Sequence, residues 1–598
     1  MRAWKVNMNF KGLDAHKVFA PQKHLLLYFG MIALFFPLYS TPNIGGTGLA
    51  ATFNISTWIV ASWGMSAGLL LIMHSKRFTV PRLWFFLIIF PIIAVISGFL
   101  ADINQPVAWL FRVIYILGGL LFIFALFQFN LTERVIDHCL FIITIASGLH
   151  ALIGIVQIFI PDSLPLWIPR QPGFAPRSLF QQINTQATFL TTSLIITLYL
   201  ISRPSFRFSS LLVKTVIVII FTLAVYVLVA SGSRIGLLSL LLGIPLIIWS
   251  RYKALRFHKN LLIILFIASC CSFVAGQSGL HRTIDKMALL KENSYSSARI
   301  AMYTIGLELV SKSPIHGYGI GGFLSAWNKQ ASDFVGRHPE TSMPEYILHP
   351  HNELLFWMIE GGLLALAGIL AVVIGIGIAL YRCGFQRGGA YAAMLLPISL
   401  HTQVEHPFYI SSVHWFLWLF LIFLALRHQT KRCNVNLSLS ATRLVQCVAI
   451  FLAIGVTLFM VNTTRAQTDL YNFLYVENPQ PPHLQIALNN LYFKPEAEQI
   501  AMRAMLYSSI LSKDTSKVEI FEKWAKDYVN MSPELKMYED LISASIFLRP
   551  EGKGCDAIKA GLAMYAHNKP LQEASLVCLE KQNKQLSIQG EYSRGQPT

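Results

Sequence analysis

Long apolar runs follow one another along most of the chain, separated by short polar segments. Each run is about 20 residues long, the length that a helix needs to cross the ~30 Å hydrocarbon core of a bilayer. Lipid offers the backbone no hydrogen-bond partners, so such runs fold as helices. The pattern predicts about thirteen transmembrane helices, near residues 24–41, 56–74, 83–100, 107–127, 135–160, 183–202, 211–230, 234–250, 260–276, 352–381, 390–402, 411–427 and 443–462.

Basic residues are concentrated in every second connection between these runs, as at 76–82, 251–259 and 427–443. The intervening short connections are nearly free of Lys and Arg. Cytoplasmic loops carry this excess, so we expect a cytoplasmic N-terminus and, with an odd number of spans, an exported C-terminus. The first run follows a basic leader without a small-residue cleavage pattern, so we interpret it as a span rather than a signal peptide.

Composition agrees with a membrane protein. Of 598 residues, 54% are hydrophobic and 13% are charged, against roughly 25% charged in a soluble domain. The net charge of +18 is dispersed between apolar runs, which argues against a nucleic-acid-binding domain. The chain has no P-loop, no dinucleotide fingerprint and no Cys/His spacing typical of metal sites, so we expect neither cofactor nor metal.

Three larger segments are expected on the outer, periplasmic side: loops 161–182 and 277–351 and a tail at 463–598. Residues 1–462 form the predicted transmembrane domain. In the tail, charged and apolar residues alternate at helical spacing, which predicts a small helical domain. Its paired helices could stack as tetratricopeptide-like hairpins, although no clean 34-residue repeat is visible. Cys555 and Cys578 are the two cysteines of this exported tail and form a candidate disulfide.

Ionisable residues at the predicted outer helix ends are functional candidates, because charge is costly at membrane depth. Arg234 lies in Ser-Gly-Ser-Arg-Ile-Gly at the start of a span, where its guanidinium suits a phosphate; the alternative is an Arg that snorkels to the interface. Arg299 precedes a Pro314-x-x-Gly317-x-Gly319 run, whose glycines indicate tight turns or simply a loop.

Two polar clusters frame the tenth to twelfth spans. His349, His351 and Asn352 precede one span, and Glu405, His406 and Tyr409 precede another. We expect His351 and Glu405 to be catalytic, and His349, Asn352, His406 and Tyr409 to bind the substrate. A His at the membrane rim suits a general base, although His349 before Pro350 is more typical of a turn or packing residue. The amides of Gln182 and Asn184 enter the sixth span, where they bind substrate or merely cap and pack.

Taken in order, five patterns resemble the bacterial O-antigen ligase and polymerase superfamily, most closely a PglL-type protein O-oligosaccharyltransferase. They are Gln182-x-Asn184-x-x-Ala187, Ser231-x-Ser233-Arg234-x-Gly236, Ser297-x-Arg299 with Pro314-x-x-Gly317-x-Gly319, His349-x-His351-Asn352-Glu353, and Glu405-x-Pro407. The resemblance covers about residues 170–430. His406 stands where relatives often have Tyr, and Glu360-Gly361-Gly362 keeps only part of the ligase glycine pattern.

This resemblance implies a GT-C-like, all-α polytopic membrane enzyme that needs no metal. It would move a preassembled glycan from undecaprenyl pyrophosphate to a Ser or Thr hydroxyl of a protein such as a type IV pilin, on the periplasmic face. By resemblance, Arg234 and Arg299 hold the pyrophosphate and His351 is the essential histidine. Gln182 and Asn184 match important amides, and Glu405 is available to orient His351 or an arginine.

Two alternatives remain open at the level of sequence. A ligase to lipid A core or a glycan polymerase would use the same residues with a sugar hydroxyl as acceptor. A lipid-linked glycan flippase would also be a basic, many-span protein, but it should carry broken helices, midplane ionisable groups and repeated halves. The clusters here lie at helix ends, and no repeat between halves is visible, which favours the enzyme.

Overall fold

The structure is a computed structural model that describes residues 43–101, 105–165, 175–279, 295–338, 347–476 and 484–578, apart from 553, 567 and 577, with a few isolated positions between these ranges. The chain is an all-α polytopic membrane protein. Seven of the described helices are long and apolar enough to cross a membrane, and two shorter ones are also strongly apolar. The first predicted span, 24–41, lies outside the described residues except for isolated positions.

The described helices begin with those of the bundle and end with those of the tail. They are α1 Thr52–Ser75, α2 Trp84–Leu100, α3 Pro106–Gln128, α4 Glu133–Phe159, α5 Ile183–Ile201, α6 Leu211–Ser231, α7 Arg234–Leu255, α8 Lys259–Ala275, α9 Tyr295–Lys312, α10 Phe323–Arg337, α11 Glu353–Arg382, α12 Phe385–His401, α13 Pro407–Ile410, α14 Ser412–Leu426, α15 Leu439–Ile450, α16 Val456–Tyr475, α17 Gln485–Leu488, α18 Lys494–Ser512, α19 Thr515–Met531, α20 Leu535–Leu548 and α21 Cys555–Met564.

Twelve of the thirteen predicted spans coincide with these helices. Most of their ends agree to within a few residues, and the remaining helices extend beyond the predicted span. The last one is much longer than predicted, because a π-helical turn at Phe451–Gly455 joins α15 to α16 and the helix continues to Tyr475. The predicted domain boundary at residue 462 therefore falls inside a continuous helix rather than in a linker.

Helix α5 forms the centre of the bundle, since every residue from 185 to 201 is buried. It packs against α4, α6, α7 and α12. Its many hydroxyl side chains bond to carbonyls of the preceding turn, as Thr192 does to Thr188 and Thr197 to Ser193, both at 2.8 Å. Because their polar atoms are satisfied within the helix, Thr and Ser let the neighbouring helices approach closely.

The two ends of the bundle differ in chemistry. The end at which α3, α5, α7, α11 and α14 begin carries the candidate residues, and we call it the site end. The opposite end is fastened by a two-stranded antiparallel sheet, in which β1 Arg77–Pro81 pairs with β2 Thr430–Asn434. Arg203 adds ion pairs to Asp137 at 2.8 Å and to Glu133 at 2.6 Å.

Helix α11 is broken inside the bundle. Gly362 has φ 63° and ψ −163°, so the helical hydrogen bonds are interrupted there. The freed N–H groups of Leu363 and Leu364 donate to the carbonyls of Pro314 and Ile315, at 2.7 and 3.3 Å. Non-helical backbone at membrane depth is tolerated where protein satisfies it, and the segment after α9 does so here.

The tail is helical, as predicted, and packs around its own apolar core of residues such as Phe521, Met537 and Tyr538. Cys555 and Cys578 form a disulfide, which confirms the predicted pairing. The tail also contacts helix α10, where the Asn328 amide donates to the Pro533 carbonyl at 2.9 Å and to the Tyr565 hydroxyl at 3.0 Å.

Candidate active site

The start of α11 is joined to the short connection between α12 and α13. The Glu353 N–H donates to the Thr402 carbonyl at 2.8 Å, and the Asn352 amide donates to the Gln403 carbonyl at 3.1 Å. Asn352 also caps α11, because its side-chain oxygen accepts from the Leu355 N–H at 2.9 Å. These bonds place two separate sequence clusters, His349–Asn352 and Glu405–Tyr409, in one site.

Two His–Glu pairs cross between the two segments. Nδ1 of His351 lies 3.4 Å from Oε2 of Glu405, and Nδ1 of His406 lies 3.0 Å from Oε2 of Glu353. The His351 side chain is 36% exposed, whereas that of His406 is 2% exposed. The first pair is therefore open to an incoming molecule and the second is closed.

The backbone of His351 has φ +52°, in the left-handed region that non-glycine residues seldom adopt. This conformation turns its N–H toward Nδ1 of His349, at 3.3 Å. A His that accepts a hydrogen bond at one ring nitrogen is held neutral. Consistently, burial and the nearby His406 and His351 lower the pKa of His349 to about 3.

The carboxyl of Glu405 is held ionised by its neighbours. Burial acts to raise its pKa, but hydrogen bonding and charge from His351, with further contributions from His349 and His401, outweigh burial and lower the pKa below its usual range. A carboxylate beside an accessible imidazole orients the ring and stabilises the cation that forms when the ring takes a proton.

Three potential ligand atoms, from His349, His351 and Glu405, lie within 4.8 Å of one another. Bonds of about 2.0–2.2 Å in a tetrahedral zinc site place ligand atoms nearer to 3.3 Å apart. A cation would have to draw these three side chains together. That the enzyme works without a metal stays a prediction.

A second group joins the predicted amides to the predicted arginine. The Asn184 side-chain oxygen accepts from the Ser233 hydroxyl at 2.8 Å, and the Ser233 oxygen caps α7 by accepting from the Gly236 N–H at 3.2 Å. Gln182 precedes α5 and accepts from the Thr185 hydroxyl. Arg234 is the exposed first residue of α7, so its cation adds to the positive end of that helix.

Thr188 brings this second group beside the first. Its hydroxyl lies 3.0 Å from the Asn184 carbonyl and 2.9 Å from Nδ1 of His401. The Glu405 N–H in turn donates to the His401 carbonyl at 3.0 Å. Asn184 lies one helical turn before Thr188 on α5, and Glu405 lies four residues after His401, the last residue of α12, so the amide, arginine and base clusters share one end of the bundle.

Arg299 lies on α9, which packs beside α11. A Cβ on Gly306 would be 2.7 Å from the Leu355 side chain, so the two helices are in close contact at this level. Arg299 precedes Gly306 by seven residues, about 10 Å along the helix toward the site end. Its side chain is exposed. Within the described ranges, neither Arg299 nor Arg234 is paired with a carboxylate.

Sequence reasoning missed Arg112, which the structure places on α3 beneath the site. Its guanidinium donates to the Tyr409 hydroxyl at 2.8 Å and forms a buried ion pair with Glu360. Tyr409, a predicted substrate-binding residue, is thus bonded to a buried cation and remains 40% exposed. The sequence did contain a signal for this residue, because Arg112 is the one basic residue in the apolar run 107–127 and a charge within a membrane span is a functional candidate.

The fold and the polar clusters define a polytopic membrane protein with its candidate chemistry at one end of the helices. Comparison with protein families narrows this further: residues 219–370 match the O-antigen ligase family, and residues 390–576 match the C-terminal region of the virulence factor membrane-bound polymerase family. Both matches support the O-antigen ligase and polymerase superfamily, which the motifs also predict. No curated protein matches it. The family indicates glycan transfer by an O-antigen ligase-like enzyme.

Proposed function

We propose that this protein transfers a preassembled glycan from undecaprenyl pyrophosphate to a Ser or Thr hydroxyl of a protein acceptor such as a type IV pilin. The site would face the periplasm from the inner membrane. The observation that carries the proposal is the accessible imidazole of His351 held 3.4 Å from the Glu405 carboxylate, beside the group that contains Arg234.

The chemistry requires two kinds of group. The bond between the sugar carbon and the pyrophosphate oxygen breaks, and the acceptor oxygen bonds to that carbon as its proton leaves. Arg234 and Arg299 would offset the negative charge on the departing pyrophosphate, for which a guanidinium is well shaped. His351 would take the proton, and Glu405 would stabilise the resulting imidazolium.

The exposures of the side chains support this division of roles. Both arginines are exposed and unpaired with carboxylates in the described part of the chain, so they are available to an anion. His351 is open, whereas His406 is buried against Glu353, His349 and Phe356. A substrate-binding role for His406 and for Tyr409 stays a prediction.

The transporter alternative gains two features from the structure, since α11 is broken and Glu360 is buried beside Arg112. Arg112 and Glu360 lie about 10 Å below the helix starts, whereas the break at Gly362 lies about 13 Å below the start of α11, close to the middle of a ~30 Å core. The freed N–H groups of Leu363 and Leu364 at the break are bonded to carbonyls of another part of the chain, so the protein itself satisfies them. The enzyme remains the better-supported function.

Mass spectrometry of pilins and of lipopolysaccharide from strains with and without this chain tests the acceptor. We expect glycan to disappear from a pilin-like protein, while the lipopolysaccharide keeps its O-antigen. Loss from lipid A core alone would assign the ligase function instead.

A strain carrying His351→Ala should behave like the deletion, although the protein accumulates in the membrane and still retains the lipid-linked donor. Arg234→Ala, in contrast, should lose donor retention as well.

Reporter fusions test the orientation. A fusion at residue 470, in the helix that leads to the tail, should be active with a periplasmic reporter and inactive with a cytoplasmic one. The reverse pattern would place the tail and the site on the cytoplasmic face and overturn the proposal.

A further inference from the structure

A buried ion pair lies beneath the candidate site. Arg112 and Glu360 have side chains only 7% and 1% exposed, and they join α3 to α11. They lie six and seven residues into their helices, about 10 Å from the site end. A charge at this depth is costly unless it is paired and fully hydrogen-bonded, so its presence calls for a specific role.

Arg112 reaches the site through two aromatic side chains. Its guanidinium donates to the Tyr409 hydroxyl at 2.8 Å and lies 4.7 Å from the centre of the Phe356 ring. Phe356 meets the His406 ring edge to face at 5.0 Å, and His406 lies beside Glu353 at the start of α11. Arg112 thus packs against side chains that contact the His–Glu cluster, but its own side chain is buried and is not accessible to substrate.

Glu360 reaches in the other direction, to the segment 313–322 that follows α9. Its carboxylate accepts from the Gly321 N–H at 3.0 Å, and the carbonyl of the preceding Ile359 accepts from the Tyr318 N–H at 2.9 Å. Gly317, with φ +65°, has no room for a side chain, because a Cβ would lie 2.4 Å from the Ile359 carbonyl oxygen.

The broken part of α11, at Gly362, packs against the same segment, 313–322. A Cβ on Gly362 would lie 2.2 Å from the Ile315 carbonyl oxygen, so the two backbones are in direct contact. The Pro-x-x-Gly-x-Gly run is therefore a rigid part of the bundle. Since the segment begins directly after Lys312, the last residue of α9, its attachment also fixes the helix that carries Arg299.

We propose that Arg112 and Glu360 are positioning residues that clamp segment 313–322 to the broken helix α11 and thereby set the position of Arg299 relative to His351. The clamp acts through the Glu360 carboxylate as acceptor for the Gly321 N–H. This inference rests on the proposed function, but only in requiring that an arginine on α9 and the base His351, just before α11, act on one substrate.

Two double variants test the clamp. Arg112→Gln with Glu360→Gln removes both charges and keeps a side-chain oxygen for the Gly321 N–H. Arg112→Met with Glu360→Met also removes both charges but leaves that N–H without an acceptor. Removing both charges of a buried pair together is often tolerated, so both proteins should accumulate, although the Met pair should melt at a lower temperature because a buried N–H without an acceptor is costly.

The expected readout is a difference in turnover between two folded proteins, measured well below both melting temperatures. The Gln pair should keep kcat within about fivefold of the wild type, and the Met pair should lose about 30-fold or more, because a misplacement near 1 Å costs up to ~100-fold. KM for the lipid-linked donor should change less than kcat. Arg203→Lys is the matched control, since it weakens a buried pair at the opposite end and should lower Tm without lowering kcat.

Wild-type turnover in the Met pair would overturn the proposal. Equal loss of turnover in two folded double variants would also overturn it, because the Gly321 acceptor would then be irrelevant. Turnover is measured as the glycan product that the wild-type chain forms, whether on protein or on lipid A core. A wild-type chain that glycosylates only lipid therefore refutes the proposed acceptor and leaves the clamp measurable.

Discussion

Replacing Glu405 by Gln is expected to slow glycan transfer without disturbing the site's shape. The amide has the size of the carboxylate and keeps an oxygen that faces His351. What the substitution removes is the negative charge, which the neighbouring imidazoles keep in place by lowering the pKa of Glu405. The variant therefore isolates the electrostatic part of the pair.

The magnitude follows from the distance. Two unit charges 3.4 Å apart, the separation of His351 Nδ1 and Glu405 Oε2, attract by about 5 kcal/mol at an effective dielectric constant of 20 and by about 1.2 kcal/mol in bulk water. The His351 side chain is 36% exposed, which favours the lower part of that range. A loss of about 1–3 kcal/mol in the transition state predicts kcat lower by about 5- to 150-fold.

The assay is transfer from purified lipid-linked glycan to a pilin peptide by the detergent-solubilised enzyme, at saturating donor. Glu353→Gln is the matched control, because it makes the same change in the closed pair with His406. That control should lower Tm while kcat stays within about threefold, since an inaccessible imidazole meets no acceptor. Wild-type turnover in Glu405→Gln, or equal slowing by both variants, would refute a role for Glu405 in stabilising charge on His351.

Three further predictions concern the arginines, the second histidine and metals. Arg234→Lys and Arg299→Lys should each cost about tenfold or more in transfer, because an ammonium cannot reproduce a planar two-donor contact with phosphate; wild-type rates in both would place the pyrophosphate elsewhere. Because the pKa of His349 in the folded protein is about 3, only the unfolded chain gains this proton as pH falls below ~6.5, and folding stability falls with it. Thermal unfolding at pH 7 and pH 5 should therefore show His349→Asn losing about 1–2 kcal/mol less than the wild type, and equal losses would contradict the buried neutral ring. EDTA should leave transfer unchanged, whereas added Zn²⁺ should inhibit by drawing together His349, His351 and Glu405; loss of activity in EDTA would contradict the metal-independent mechanism.

The sequence by itself determined the membrane architecture. Apolar runs of bilayer length admit only helices, because unpaired backbone groups are too costly in lipid, so twelve predicted spans reappear as helices. The order of short motifs likewise identified the superfamily. The pairing of Cys555 with Cys578 followed from their isolation in one predicted compartment.

Other features depend on contacts between distant residues, and only the tertiary structure decided them. The crossed pairs of His351 with Glu405 and His406 with Glu353 require two helix ends to meet, which no local pattern encodes. The role of the Pro-x-x-Gly-x-Gly run emerged only against the break at Gly362, because a glycine's space is defined by the backbone packed on it. Arg112 was visible in the sequence as a lone charge in an apolar run. The role of a buried charge depends on the residue that pairs with it, and this partner could not be predicted because Glu360 lies 248 residues away in the chain.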